Sequence, residues 1–178
     1  MDEEDKRQLL KIARMAIEEY LKSGKRPYID IDRPALYEEW GAFVTLKQGR
    51  RLRGCIGTLQ PEGPLYQTVM EMAIASATQD YRFPPLSLDE IPKTKIEISV
   101  LSPFTRIEDP KEIEVGRHGL YIVKGFYRGV LLPQVAVEQG WDRETFLRHL
   151  CLKAGLDADA WEGEADIYTF TAEIIEEE

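Results

Sequence analysis

The residue whose setting best suits chemistry is Cys55, which lies in a predicted strand. Alternation along a strand places Leu52 and Ile56 on one face. Arg51, Arg53 and Cys55 then share the other face. A guanidinium beside a thiol stabilises the thiolate, which is the nucleophilic form of cysteine. The sequence therefore predicts Cys55 as a catalytic residue and Arg53 as a neighbouring anion-binding residue.

A structural interpretation of this cysteine stays open. Free cysteines are most often buried and unreactive. Gly54 and Gly57 are typical of a β-bulge or of a close backbone approach, and a bulge would move Cys55 to the other face. Because a close approach would admit a ligand, Gly54 is a candidate ligand-binding residue. Cys151 falls at the edge of the apolar stripe of a predicted helix, so we expect it to be a small buried hydrophobe.

Two residues far along the chain are candidate polar partners. His118 precedes Gly119 at the mouth of a predicted strand and is a candidate general acid or base, or else a residue that caps a turn. Gln134 follows Pro133 at a predicted helix start. It is either a donor to an oxyanion or ligand carbonyl, or an ordinary first-turn residue. A Cys–His pair requires proximity in space, which the sequence does not establish.

A cluster of cations surrounds Cys55 in an otherwise acidic chain. Lys47, Arg50, Arg51 and Arg53 fall within seven residues, and Arg82 lies in another predicted loop. Arginine binds carboxylate or phosphate in bidentate fashion, which makes Arg53 and Arg82 candidate anion-binding residues. A solvated charge cluster at a hairpin turn is the alternative. The lack of Walker, GxGxxG and GxSxG patterns argues against P-loop NTPases, dinucleotide enzymes and α/β-hydrolases.

The cysteines and histidines do not form a metal-binding pattern. His149 and Cys151 are two residues apart on a predicted helix, so their side chains point in opposed directions and His149 is expected to face solvent. CxxC, HExxH and HxH spacings are lacking. We predict no metal site, and the sequence identifies no cofactor.

The elements that must position these residues follow from hydrophobic periodicity. A first helix ends before Gly24, a second opens at Gly63-Pro64, a short third lies between Pro133 and Gly140, and a fourth runs from Asp142 to Ala154. The predicted strands cover residues 42–47, 52–58, 96–100, 120–123, 130–132 and 168–174, with turns at 48–50 and 124–129. No βαβ rhythm is present. The order predicts an α+β fold with an antiparallel β-sheet and helices.

Length and charge bound the class of protein. The chain has 178 residues, which fits a single domain, and its net charge of -9 argues against nucleic-acid binding. No apolar run reaches the roughly 18 residues of a membrane span, and two cysteines form no disulfide framework. We therefore expect a cytoplasmic protein without a membrane segment. The chain contains no asparagine, which favours a thermophilic source.

Several motifs resemble the AMMECR domain family. The most specific is Leu52–Thr58, LRGCIGT, which is similar to that family's signature. Further similar stretches are DYRFPP at 80–85, EISVLSP at 97–103, HGL at 118–120, LLPQVA at 131–136, Trp141-Asp142, and the run 146–156. The resemblance implies one domain over residues 1–178, in two unequal lobes with a cleft between them. The larger lobe would hold both termini, and the smaller would be inserted.

The resemblance implies no settled reaction. Prokaryotic members of the family resemble partners of a Memo-like protein and a radical-SAM protein, which suggests an enzyme or enzyme component of a modification pathway. Its cleft would surround Cys55, with Arg53, Gly54, Arg82 and Gln134 binding ligand and His118 acting as acid or base. The alternative is a non-catalytic binding module or adaptor that recognises a protein or a small anionic ligand.

Overall fold

The computed structural model describes residues 1–178 and contains four α-helices and seven β-strands. The helices are α1 (Glu3–Ser23), α2 (Leu65–Thr78), α3 (Pro133–Gln139) and α4 (Arg143–Lys153). The strands are β1 (Gly41–Gln48), β2 (Arg51–Thr58), β3 (Lys95–Leu101), β4 (Thr105–Ile107), β5 (His118–Lys124), β6 (Tyr127–Leu131) and β7 (Asp166–Glu176). All described strand pairings are antiparallel, which confirms the α+β prediction. No helix has the length and apolar content that a membrane crossing requires.

The chain divides into two compact units, and the first comprises Met1–Leu101 with Glu173–Glu178. In this unit β1 lies between β2 and β3. Helices α1 and α2 pack together, and α2 contacts β1 and β2. The core is formed by apolar residues of these elements, among them Leu9, Ile12, Val44, Val69, Ile74 and Ile98.

Two signals in the sequence fix the ends of α1. Asp2 and Asp5 form a reciprocal capping box at its start, where two otherwise unpaired backbone N–H groups need acceptors. Gly24 ends the helix with φ of 73°, a left-handed conformation that glycine adopts without steric cost. The predicted stop at Gly24 is thus confirmed.

The second unit comprises Ser102–Ala172. Its strands lie in the order β4-β7-β5-β6, and α3 and α4 belong to the same unit. Its core contains Leu120, Ile122, Phe146, Leu150 and Cys151. Cys151 is 0% exposed, which confirms its prediction as a buried hydrophobe.

Two local predictions in the second unit are wrong. The turn predicted at residues 124–129 is only Gly125 and Phe126, because Gly125 adopts φ of 60° and lets β6 begin at Tyr127. A tight two-residue hairpin needs positive φ at its centre. His149 does not face solvent freely: its ring stacks on Trp141, with centroids 3.9 Å apart and planes 4° from parallel. This stacking half-buries the imidazole.

Candidate functional site

The antiparallel register of β1 and β2 places Thr45 directly opposite Cys55. Their side chains meet on the face of the sheet away from Val44 and the core. The Cys55 Sγ lies 3.2 Å from the Thr45 Oγ1, within hydrogen-bond distance for sulfur. Cys55 is partly exposed. Cys55 is therefore not enclosed by packing, and its thiol has one polar side-chain partner.

The backbone at Cys55 is fixed by the end of α2 and the residues after it. The Cys55 N–H donates to Asp80 Oδ2 at 2.9 Å, and the Ile56 N–H donates to Ser76 Oγ at 2.9 Å. Gly54 is required by this contact, since a Cβ at Gly54 would lie 2.2 Å from the Ser76 carbonyl oxygen. These contacts hold β2 against α2 and leave the thiol as the free part of Cys55.

Two ion pairs flank the thiol. Lys47 pairs with Glu97 of β3, and Arg82 pairs with Asp80 at 2.8 Å. Both cations belong to the electrostatic surroundings of Cys55. The pKa of Lys47 is raised, chiefly by the hydrogen bond to Glu97 and to a smaller extent by Cys55. The site thus contains two cations, each already bound to a carboxylate.

The Asp80 carboxylate accepts four hydrogen bonds in this region. Its side chain is 3% exposed and accepts hydrogen bonds from the backbone N–H groups of Cys55 and Arg82 and from the Arg82 guanidinium. The guanidinium, above all, and then these N–H groups hold the pKa of Asp80 well below its usual range. Asp80 therefore stays ionised and ties Arg82 to the strand that carries the thiol.

The predicted division of faces on β2 is wrong because β2 contains a bulge. Leu46 is opposite Gly54, whereas Lys47 is opposite Leu52, so Arg53 has no partner on β1. The extra residue shifts the alternation, and Leu52 lies on the same face as Cys55. The glycine pattern had indicated this alternative, but only the register locates the bulge.

Arg53, predicted to bind an anion, is engaged within the protein. Its guanidinium donates to both carboxylate oxygens of Glu90, at 2.8 and 3.0 Å, and its side chain is 12% exposed. This hydrogen bonding lowers the pKa of Glu90 to about 2. Arg82 is likewise bound to Asp80, but its side chain is 45% exposed and its Nη1 has no hydrogen-bond partner. The Nη1 of Arg53 has no hydrogen-bond partner either, but Arg82 is much the more exposed of the two and is therefore the better placed to bind a ligand.

His118 and Gln134 belong to the second unit, whereas Arg53, Gly54, Cys55 and Arg82 belong to the first. The Nδ1 of His118 accepts a hydrogen bond from the Glu114 backbone N–H at 3.0 Å, closing the turn before β5. This is the turn-capping role that the sequence left open for it. Gln134 is half-buried near the start of α3.

The sequence missed Thr45, Asp80 and Glu97 as parts of this site. Thr45 could have been found from the alternation of β1, because Val44 and Leu46 face the core and Thr45 must face away. Asp80 and Glu97 were visible only within the motifs of the family resemblance. No group of three or more His, Cys, Asp or Glu side chains is placed to hold a metal ion.

The chain belongs to the AMMECR1 family, whose sequence profile matches residues 10–175. Protein PF1979 of Pyrococcus furiosus is 49% identical to it, over 96% of this chain and 87% of the relative. Protein MK0488 of Methanopyrus kandleri is 47% identical, over 96% and 87%. The crystal structure of the uncharacterized protein PH0010 from Pyrococcus horikoshii is similar with a TM-score of 0.86 at 47% identity, covering 100% of this chain and 94% of that one.

These relatives are proteins of thermophilic archaea, and their names state no activity. The comparisons therefore show the family and the fold. The reaction has to be argued from the site.

Proposed function

We propose that this protein is an enzyme, or a component of one, in which the Cys55 thiol acts as a nucleophile. The observation that carries the proposal is that Cys55 is partly exposed, with its Sγ 3.2 Å from the Thr45 hydroxyl on a face that also holds Lys47. A partly exposed cysteine with a polar partner and cations nearby is a setting in which cysteine can react.

Packing accounts for the neighbours of Cys55 but not for its thiol. Gly57 lies under the Phe43 ring, where a Cβ would come within 2.3 Å of two ring carbons. Gly54 is required by its contact with Ser76, and Arg53 by its ion pair with Glu90. The Cys55 side chain makes no comparable structural contact. A role in chemistry explains why a thiol is present on an accessible face.

The reaction that suits this arrangement is attack by the thiolate on an electrophilic carbonyl carbon. A sulfur–carbon bond forms, the leaving group departs with its electron pair, and water then hydrolyses the thioester. Thr45 would hold the thiolate through its hydroxyl. The cations of Lys47 and Arg82 lie nearby. Their carboxylate partners fix where these cations lie.

The experiment uses p-nitrophenyl acetate as an electrophile of known chemistry. We expect release of about one equivalent of p-nitrophenolate per protein in a rapid first phase, because the thiolate is acetylated before the thioester hydrolyses. Cys55→Ser should remove this phase and Cys151→Ser should retain it. Intact-mass spectrometry should find the acetyl group on Cys55. A first phase of equal size in Cys55→Ser, or none in the unaltered protein, would refute the proposal.

A non-catalytic binding module is the second candidate, and one observation favours it. Both histidines of the chain lie in the second unit, and the first unit, which holds Cys55, contains no histidine of its own. Asp80 and Glu97 are already bonded to cations. Under this alternative Cys55→Ser retains ligand binding, and the protein shows no acetylation at any pH between 6 and 9.

A component of a modification pathway would act together with other proteins. The partners implied by the family resemblance, a Memo-like protein and a radical-SAM protein, stay a prediction, as does a cytoplasmic location. Co-purification from cells that express the tagged chain would test the partners. The cleft that the resemblance implies around Cys55 is likewise part of this proposal.

A further inference from the structure

An exposed aromatic and cationic segment lies beside Cys55. Tyr81 is 96% exposed, and the Arg82 side chain that follows is 45% exposed. Pro84 and Pro85 are exposed as well. We call residues 81–88 the docking segment. Tyr and Arg are the residue types most enriched among those that dominate binding energy at protein interfaces.

This segment is ordered by hydrogen bonds although it contains no regular structure before Leu88. The Phe83 N–H donates to the Asp80 carbonyl oxygen at 3.1 Å, and the Leu86 N–H donates to the Ala77 carbonyl oxygen at 2.7 Å. Leu86 itself is 3% exposed and joins the core of the first unit. The segment therefore presents its exposed side chains from a fixed backbone, which lowers the entropy cost of binding.

The segment runs along β2, on which Cys55 lies. Asp80 accepts from the Cys55 N–H, and the Arg53 Nη2 donates to the Pro85 carbonyl oxygen at 3.4 Å. Leu52 of the same strand is 40% exposed. A cavity of about 300 Å³ at the start of α2 is lined by residues from Thr58 to Met72 and does not include Cys55. That cavity is therefore separate from the thiol.

The charges along this surface select the kind of partner. The Arg82 Nη1 has no hydrogen-bond partner, and Arg82 also lies over the Phe83 ring at 5.5 Å. Arg50 and Arg51, at the turn that leads into β2, are exposed, and neither forms an ion pair. These cations stand out in a chain of net charge -9, so two copies of the chain repel each other while an acidic segment is attracted locally.

We propose that residues 81–88, together with Arg50, Arg51 and Leu52, dock an acidic, apolar-containing segment of another protein beside Cys55. Tyr81 supplies the apolar contact, and the arginines receive the partner's carboxylates. Docking goes beyond the proposed chemistry of Cys55 and does not depend on it. A docked segment would lie along β2 and bring its own groups to the thiol.

The test measures fluorescence anisotropy of a labelled twelve-residue peptide in which glutamate alternates with leucine and proline. Tyr81→Ala and the double variant Arg50→Gln/Arg51→Gln should each weaken binding by about tenfold. Tyr28→Ala is the matched control, because Tyr28 is 90% exposed in the same unit. Arg7→Gln, at a cation with a 76% exposed side chain, is the control for charge. Both controls should bind as the unaltered protein does.

Three results would overturn the proposal. The first is equal binding, or equal lack of binding, of a peptide in which every glutamate is replaced by glutamine. The second is tighter binding of a labelled oligothymidylate, which would identify a nucleic-acid surface. The third is a dimer in light scattering that Tyr81→Ala dissociates, since a second copy would then be the occupant. Cys55→Ser should bind the acidic peptide normally, so docking and the chemistry of Cys55 can fail separately.

Discussion

The two cysteines of this protein are held in opposite ways. Cys151 is 0% exposed among the apolar side chains of the second unit, and burial, the main cause, raises the pKa of its thiol. Cys55 is partly exposed, beside Thr45 and between two ion pairs of the first unit. The first is fixed by packing around its side chain, and the second by hydrogen bonds to its backbone. Of the two cysteines, only Cys55 is not enclosed by packing.

Alkylation should give the largest difference between the two sites. With iodoacetamide at neutral pH, we expect Cys55 to react at least about a hundredfold faster than Cys151, because a buried thiol reacts only when its surroundings open. Peptide mass spectrometry over time measures both rates in one sample. Cys55→Ser should leave only the slow reaction. Equal rates would remove the distinction between the two cysteines.

Loss of the Asp80 carboxylate should give the next largest effect. Asp80→Asn leaves the Arg82 guanidinium without its charged partner and weakens the bond to the Cys55 N–H, so the free energy of unfolding should fall by about 2 kcal/mol. Denaturation in guanidinium chloride measures it. Asp166→Asn is the control, since Asp166 is half exposed in its pair with Arg106, and its effect should be within about 0.5 kcal/mol. Equal losses of stability in Asp80→Asn and Asp166→Asn would contradict the role of Asp80 in holding Arg82 and the Cys55 strand together.

Serine substitution at the two cysteines should change the free energy of unfolding by different amounts. Cys151→Ser places a hydroxyl among apolar side chains and should lower the free energy of unfolding by about 1–3 kcal/mol. Cys55→Ser should change it by less than about 0.5 kcal/mol, because the hydroxyl can bond to Thr45 and to water. The same denaturation measurement compares the two. A larger loss at Cys55 would make its thiol structural.

Acid should weaken the bonds that hold the Cys55 strand. The pKa of Glu90 is lowered to about 2, first by its hydrogen bond to Arg53. A lowered folded-state pKa means that this contribution is present above the ordinary value of 4.5 and is lost as the pH falls toward 2. Glu90→Gln should therefore be less stable at pH 7, and its stability should approach that of the unaltered protein near pH 2. If the stabilities of the two proteins fell in parallel between pH 7 and pH 2, the bond between Glu90 and Arg53 would not be the cause of the acid dependence.

The sequence predicted the elements better than it predicted the site. Periodicity and end signals located two of the helices, because these patterns act over neighbouring residues. Gly24 marked the end of α1, and Asp142 marked the start of α4. Short β4 was missed, since three residues carry no periodicity. Leu52 was placed on the wrong face because a bulge is set by pairing with another strand. Asp80 was missed because its partners, Cys55 and Arg82, meet it only through the tertiary fold.

Removal of the Thr45 hydroxyl should give the smallest of these effects and the most specific one. Thr45→Val keeps the shape of the side chain but removes the one side-chain hydrogen bond to the Cys55 Sγ. We expect alkylation of Cys55 to slow by about three- to tenfold, as for the loss of one ordinary hydrogen bond, with Cys151 unchanged. Thr45→Ser should restore the rate, because it returns a hydroxyl. If Thr45→Val and Thr45→Ser react alike, the accessibility of the thiol alone, and not its partner, distinguishes the two cysteines.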